Sequence, residues 1–137
     1  DTDAARDRYA ECLEVRRGIE GDERLEAFLL HQLASCHHDA GALDDAIRCG
    51  EEGLALRREV LGEDDESTLS TMRQLGLHLQ KAERFDESEE LLLEAYDHVL
   101  RLYGEEHTNA VRMRIEIGLL YEAWGRPDEA EAWRGGE

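Results

Sequence analysis

Apolar residues recur three and four positions apart along nearly the whole chain, the spacing that places them on one face of a helix. In the middle of the chain Leu69, Met72, Leu75, Gly76 and Leu79 share such a face, and the stretch from Phe85 to Leu102 repeats the arrangement. The pattern predicts seven helices, over 3–19, 23–39, 43–60, 66–81, 85–102, 107–123 and 127–134, and no strands. The short breaks Ala40-Gly41-Ala42, Ala82-Glu83-Arg84 and Trp124-Gly125-Arg126 divide the helices into pairs. Gly41 and Gly125 stand where a helix end needs a left-handed residue, and Pro127 falls in the first turn of the next helix, where its missing N–H costs nothing. Asp44, Asp86 and Asp128 put negative charge at the positive end of each second helix. Gly21, Gly62 and Gly104 close the longer helices, and acidic links follow.

The pattern is periodic on a second, longer scale. A shift of 42 residues sets Gly62 on Gly104, Leu75 on Ile117, Gly76 on Gly118, Leu79 on Tyr121, Arg84 on Arg126 and Asp86 on Asp128. The same shift backwards sets Leu33 and Ala34 under Leu75 and Gly76, and Leu43, Asp44 and Ala46 under Phe85, Asp86 and Ser88. At the N-terminal join the period is 41, with Ala5, Tyr9, Leu13 and Ile19 under Ala46, Gly50, Leu54 and Val60. One unit cannot bury its own apolar face, so repetition at this length implies a stack of helix pairs. The expected organisation is a single repeat domain over 1–137: a partial repeat 1–21, repeats 22–62 and 63–104, and a terminal repeat 105–137. Ala34, Gly76 and Gly118 on the first helix of each pair, and Ala46, Ser88 and Ala130 on the second, are small enough for the two backbones to approach.

Charge narrows the possible partners. With 34 acidic and 16 basic residues the formal charge is −18, a field that repels phosphate backbones and anionic membranes and favours partners with a basic patch. No apolar run is long enough to span a bilayer. Three cysteines, Cys12, Cys36 and Cys49, with no paired spacing do not make a disulfide framework, and a reducing, cytoplasmic location is expected. Cys36, His37, His38 and Cys49 are ligand types that zinc uses, but adjacent helical residues diverge by about 100°, so His37 and His38 do not converge on one ion. The scattered His31, His78, His98 and His107 lack a companion nucleophile, and no Gly-x-Ser-x-Gly elbow is present. The sequence therefore points to no catalytic residue, no metal and no cofactor.

The pattern Leu-Gly-x-x-Leu, then Gly or a polar residue, then an aromatic or Leu, Asp-Glu and Ala resembles the tetratricopeptide repeat. The 42-residue unit, with long second helices ending in LGEDDESTL and LYGEEHTNA, is similar to the extended repeats of kinesin light chains. The usual His-Pro-Asp-Thr link is replaced by Asp65-Glu66-Ser67-Thr68 and by His107-Thr108-Asn109-Ala110. The ending YEAWGRPDEAEAWR resembles the last repeat of tetratricopeptide segments that follow bacterial serine/threonine kinase domains. The resemblance implies an all-α superhelix of about seven antiparallel helices, belonging to a larger regulatory or scaffolding protein. The first helix has no partner before it and would expose Ala5, Tyr9 and Leu13 unless something covers them, so at least half a repeat is expected upstream.

The resemblance also implies a protein-interaction module whose concave groove is lined by the first helix of each pair. Carried onto this chain, the groove residues are Phe28, His31, Gln32, Ser35 and His38; then Ser70, Arg73, Gln74, Leu77 and Lys81; then Arg112, Glu116, Leu119 and Glu122. Gln32, Gln74 and Glu116 depart from the Asn and Arg places of the family's carboxylate clamp, which disfavours capture of a C-terminal carboxylate. Arg73, Lys81 and Arg112 supply local positive charge for an acidic or mixed peptide, and Phe28, Leu77 and Leu119 would take apolar anchors. Self-association through the terminal helices and intramolecular control of an upstream kinase-like domain are the alternatives.

Overall fold

Most helices begin where the sequence supplies a cap or an acidic first turn, and each pair turns over at a residue with positive φ. The computed structural model describes residues 2–17 and 22–135. Seven helices occupy them: α1 (Thr2–Arg17), α2 (Glu23–Asp39), α3 (Leu43–Leu61), α4 (Glu66–Lys81), α5 (Phe85–Tyr103), α6 (Thr108–Ala123) and α7 (Pro127–Trp133). Each lies within two residues of its expected bounds. The expected closure of α1 at Ile19 and Gly21 lies outside the described residues.

The substituted links still start helices. Asp65 accepts the backbone N–H of Ser67 at 2.8 Å, and His107 Nδ1 accepts that of Asn109 at 3.2 Å, so each caps the helix it precedes. Asp22 does the same for α2, accepting from the N–H groups of Arg24 and Leu25. At the tight turns Gly41 and Gly125 both have φ of 79°, while the middle repeat places Glu83 at the equivalent position with φ of 60°. A side chain there carries a steric cost that glycine avoids.

Consecutive helices pack on one another throughout the chain, α1 on α2, α2 on α3 and so on to α6 on α7. Within pairs the small residues lie at the crossings. Ala34, Ala46 and Ser88 are completely buried, and Ser88 Oγ donates to the Gly76 carbonyl at 2.7 Å. A Cβ on Gly76 would stand 2.5 Å from Leu92 Cδ2, so this crossing has no space for one. At Gly118 the nearest atoms are at 3.6 Å, an ordinary contact, and the crossing there is looser.

The apolar interior divides in two. Leu13, Leu29, Leu30, Leu33, Ala34 and Cys49 form a cluster across α1–α3, while Ile47 and Leu54 of α3 belong to a larger cluster running through α4–α7. Leu13 is buried and Tyr9 half-buried against the N-terminal cluster, so the side that a lone helix would expose is covered. The reason is that α1 rests on α2, which offers it the same apolar side that α4 offers α3. At the far end Trp124 and Trp133 close the larger cluster: Trp124 stacks on Phe85 and Tyr121, with Arg126 3.7 Å above its ring, and Trp133 meets Tyr96 edge-on.

Candidate functional site

The three first helices, α2, α4 and α6, form one face because each reaches the next through its side chains. Two polar joints hold that face together, and they differ in chemistry.

The α2–α4 joint is built on histidine. His31 Nδ1 lies 3.2 Å from Thr71 Oγ1, and Arg57, from α3, donates to Thr71 Oγ1 at 2.6 Å and to the Ser67 carbonyl at 3.0 Å. Two helical turns further along, His38 Nδ1 and His78 Nδ1 face each other at 2.6 Å with ring centroids 4.5 Å apart. His78 is 3% exposed and its Nε2 is buried without a hydrogen-bond partner. A proton on that Nε2 would be a stranded donor, so the arrangement that costs least has His78 Nδ1–H donating to His38 Nδ1. Burial, then the Arg57 charge, pushes the His31 pKa down to about 4. Burial, reinforced by His38, His31 and Lys81, pushes His78 to about 4 as well. His38 is lowered by burial and by Lys81, against the pull of Asp39. The joint is thus neutral imidazole on both sides, with the Arg57 guanidinium held through Nη1 by two oxygen acceptors and 3.5 Å from His31 Nδ1.

The α4–α6 joint is an ion pair. Arg73 Nε donates to both carboxylate oxygens of Glu116, at 2.9 and 2.7 Å, and its Nη2 engages the same carboxylate. The pair is partly buried, with Arg73 and Glu116 side chains 27% and 13% exposed, so it is worth more than a fully solvated one.

Two clefts open on this face, one on each side of that ion pair. The first lies among α4, α5 and α6, with Glu66, Ser70, Arg73, Tyr103, Asn109 and Arg112 around an apolar floor of Leu69, Val99 and Met113. The second lies toward the C-terminal ends of the first helices, lined by His38, Leu77, Gln80, Lys81, Glu83, Phe85 and Ala123. Arg112 donates to Asn109 at 2.8 Å. Among the described residues, neither Arg112 nor Lys81 has a carboxylate partner within ion-pair distance.

The expected groove residues therefore fall into three sets. Phe28, Ser70, Lys81, Arg112 and Leu119 are exposed on this face, with Ser35, Gln74 and Leu77 half-buried among them. His31, His38, Arg73 and Glu116 are engaged in the joints. Gln32 turns toward α1 and donates to the Tyr9 hydroxyl at 3.3 Å, and Glu122 is paired with Arg134 at the α7 end. Of the three cations expected to supply free charge, Arg73 is neutralised by Glu116. Sequence reasoning missed Arg57, which is 8% exposed, and Tyr103 and Asn109 in the first cleft. A signal for Arg57 existed: under the 42-residue shift it sits on Val99, a core position, so a charge there needed an explanation.

A second acidic–histidine cluster lies on the α3–α5 side. Glu63, Glu94 and His98 could between them offer three metal ligands, but Arg58 already donates to both carboxylates at 3.1 to 3.2 Å, and His98 Nδ1 pairs with Asp64 at 2.6 Å. Its carboxylates are already engaged by the protein's own cations.

Known proteins give this architecture a family. The tetratricopeptide repeat model matches residues 1–59, 25–86 and 67–133. Protein KINESIN LIGHT CHAIN-RELATED 3 of Arabidopsis thaliana is 38% identical over 74 residues, 53% of this chain and 11% of that protein. Among solved structures, BtubC (BKLC) from P. vanneervenii aligns over 98% of this chain and 54% of its own, with a TM-score of 0.82 at 21% identity. A kinesin light chain structure of nearly identical TPR-like repeats from Podosopora anserina aligns over 96% and 63%, with a TM-score of 0.87 at 20% identity. At those identities the structures speak to fold alone, and the chain spans about a tenth of the Arabidopsis protein and little more than half of the two solved chains. With the family's model covering nearly every residue, the helix pairs, their small-residue crossings and their 42-residue period make this chain a member of the tetratricopeptide repeat family.

Proposed function

We propose that the chain binds a segment of another protein along the α2–α4–α6 face, as a regulatory or scaffolding part of a larger protein. Repeats of this family are generally protein-interaction modules, and the fold is typically non-catalytic. The observation that carries the reading is the pair of clefts flanking Arg73–Glu116, each holding one cation that pairs with no carboxylate, although Glu66 lines the first cleft and Glu83 the second, on a protein whose formal charge is −18. Arg112 and Lys81 attract an acidic side chain into either cleft, and Leu69, Met113, Leu77 and Phe85 take its apolar neighbours. Charge sets register and encounter rate here, while apolar anchors supply most of the affinity. The groove residues proposed to make contact are Phe28, Ser35, Ser70, Gln74, Leu77, Lys81, Arg112 and Leu119, with His31, His38, Arg73 and Glu116 holding the face in shape.

Panning a displayed random-peptide library on the protein provides the test. Selected peptides should combine acidic and apolar residues and bind at least tenfold more weakly to the Lys81→Glu, Arg112→Glu double variant, which keeps the helical circular dichroism of the parent. Selected peptides whose affinity is unchanged by the double substitution would place the binding surface elsewhere.

A further inference from the structure

The two imidazoles at the α2–α4 joint have no place for a further proton. His38 Nδ1 and His78 Nδ1 stand 2.6 Å apart and share the one proton that His78 donates. A proton added to His38 arrives at Nδ1, where it meets the N–H of His78 head-on. A proton added to His78 arrives at Nε2, which is buried with no acceptor among the described residues. The first addition destroys the hydrogen bond between the rings and the second strands a buried donor, so the contact closes only while both rings are neutral. The charges around them oppose a further proton as well. Lys81 of α4 bears on both rings and His31 of α2 on His78, while Asp39 of α2 pulls the other way on His38. Arg57 of α3 bears on His31, so a proton gained there would stand beside that guanidinium. Glu83, in the turn after α4, lines the same cleft as His38 but is exposed to solvent.

The apolar packing leaves this joint free to part. Leu29, Leu30 and Leu33 of α2 lie in the smaller cluster, and Met72, Leu75 and Leu79 of α4 in the larger one. Among the described residues, no side chain of α2 belongs to the larger cluster and none of α4 to the smaller. At the next joint, by contrast, Met72 of α4 and Ile117 of α6 share one cluster.

We infer that the α2–α4 joint is a proton-operated hinge: on acidification α2 parts from α4 along the histidine contacts, while the α4–α6 joint stays closed. Burial, then the neighbouring charges, holds His31 and His78 at about 4 in the closed joint, and an opened ring returns to the ordinary 6.5. Closure is therefore complete above pH 6.5 and is lost as the pH falls toward 4. His38 is the α2 contribution to the wall of the second cleft, so the same movement opens that cleft on one side. The first cleft, among α4, α5 and α6, keeps its walls. A segment bound across both clefts would lose its hold on the second at low pH, a consequence that rests on the proposed function, whereas the hinge does not.

Phe28, Ser70 and Arg112 are exposed and stand one period apart on α2, α4 and α6, so spin labels there read the two joints at equivalent places. Cys36 and Cys49 are buried and Cys12 is exposed, so the labelled proteins carry Cys12→Ser. Pulsed electron spin resonance then measures one distance in Phe28→Cys, Ser70→Cys and the other in Ser70→Cys, Arg112→Cys, with no ligand present. Between pH 7 and pH 4.5 a longer-distance population of the first pair should grow at least tenfold, and the second pair should not change. Adding His78→Leu should cut that growth several-fold. His38→Gln, whose carboxamide oxygen accepts from His78 Nδ1–H without titrating, should also reduce it and serves if His78→Leu does not fold. A first distance that stays fixed down to pH 4.5, or growth unchanged in both histidine variants, would overturn the hinge. Equal lengthening of both pairs would overturn it too, as general acid unfolding.

Discussion

The first and second joints of this stack occupy equivalent positions and solve the same problem in different ways. Where α2 meets α4, His38 meets His78 as neutral imidazoles and one buried guanidinium sits beside His31; where α4 meets α6, a charged arginine holds a glutamate. The first joint also lies next to the boundary between the two apolar clusters, whereas the second is spanned by a single one. A solenoid depends on its nearest-neighbour interfaces, so a polar joint between two cores is a place where conditions can act locally. The histidine joint is sensitive to protons and insensitive to salt at neutral pH. The ion pair has the opposite response.

Acidification should produce the largest difference. His31 and His78 titrate near 4 when folded and near the ordinary 6.5 when unfolded, so below 6.5 the unfolded chain binds more protons. Their contribution to stability is complete above pH 6.5 and is lost as the pH falls toward 4. Stability measured by urea at pH 7 and pH 4.5 should drop by about 2–3 kcal/mol more in the parent than in His78→Leu, which copies Leu120 at the equivalent place. Equal losses would show that the His78 ring is already solvated.

Packing should come next. Gly76→Ala drives a Cβ into Leu92 and should cost about 1–2 kcal/mol, while Gly118→Ala meets no atom closer than 3.6 Å and should be neutral or stabilising by up to about 1 kcal/mol. Thermal melting of the two variants side by side decides this, and a Gly76→Ala protein that melts no lower than Gly118→Ala would refute the tight crossing.

The ion pair should follow. A double-mutant cycle on Arg73→Met and Glu116→Gln should give a coupling of about 1 kcal/mol that shrinks with added salt. The corresponding cycle on His38→Gln and His78→Leu at pH 7 should not respond to salt.

The smallest effect concerns the turns. Glu83→Gly should stabilise the middle repeat by about 0.5–1 kcal/mol, because Gly41 and Gly125 already occupy the same conformation without a Cβ. Gly41→Ala should cost a similar amount, and denaturant midpoints of the two variants moving in the same direction would contradict the assignment of position 83.

Much of this was legible in the residues. Positive-φ turns fall on Gly41 and Gly125 and the Pro127 start on α7, because backbone sterics act within a few neighbours. Ala34, Ala46 and Ser88 are buried at crossings, because in a repeat one crossing predicts the next. The binding face was legible as a set of helices but not in its charges. Arg73 has the composition of a groove cation and the structure of a strut. His37 and His38 offered metal-binding side chains, yet His38 faces His78 across the joint, and the Nδ1 of His37 is buried without a partner.

The line between the two kinds of knowledge is visible in the spacing of contacts. The chain alone determined the helices, their pairing and the 42-residue period, all consequences of local propensity and of apolar spacing along one helix. The tertiary structure decided who meets whom across a joint. His31 reaches Thr71 and His38 reaches His78 at a separation of 40, whereas Arg73 reaches Glu116 at 43. Neither separation equals the period, because residues one period apart point the same way, so the partner across a joint sits one or two positions off it, on the side of the next helix that faces back. That offset turned two histidines toward each other in one joint and closed an ion pair in the next.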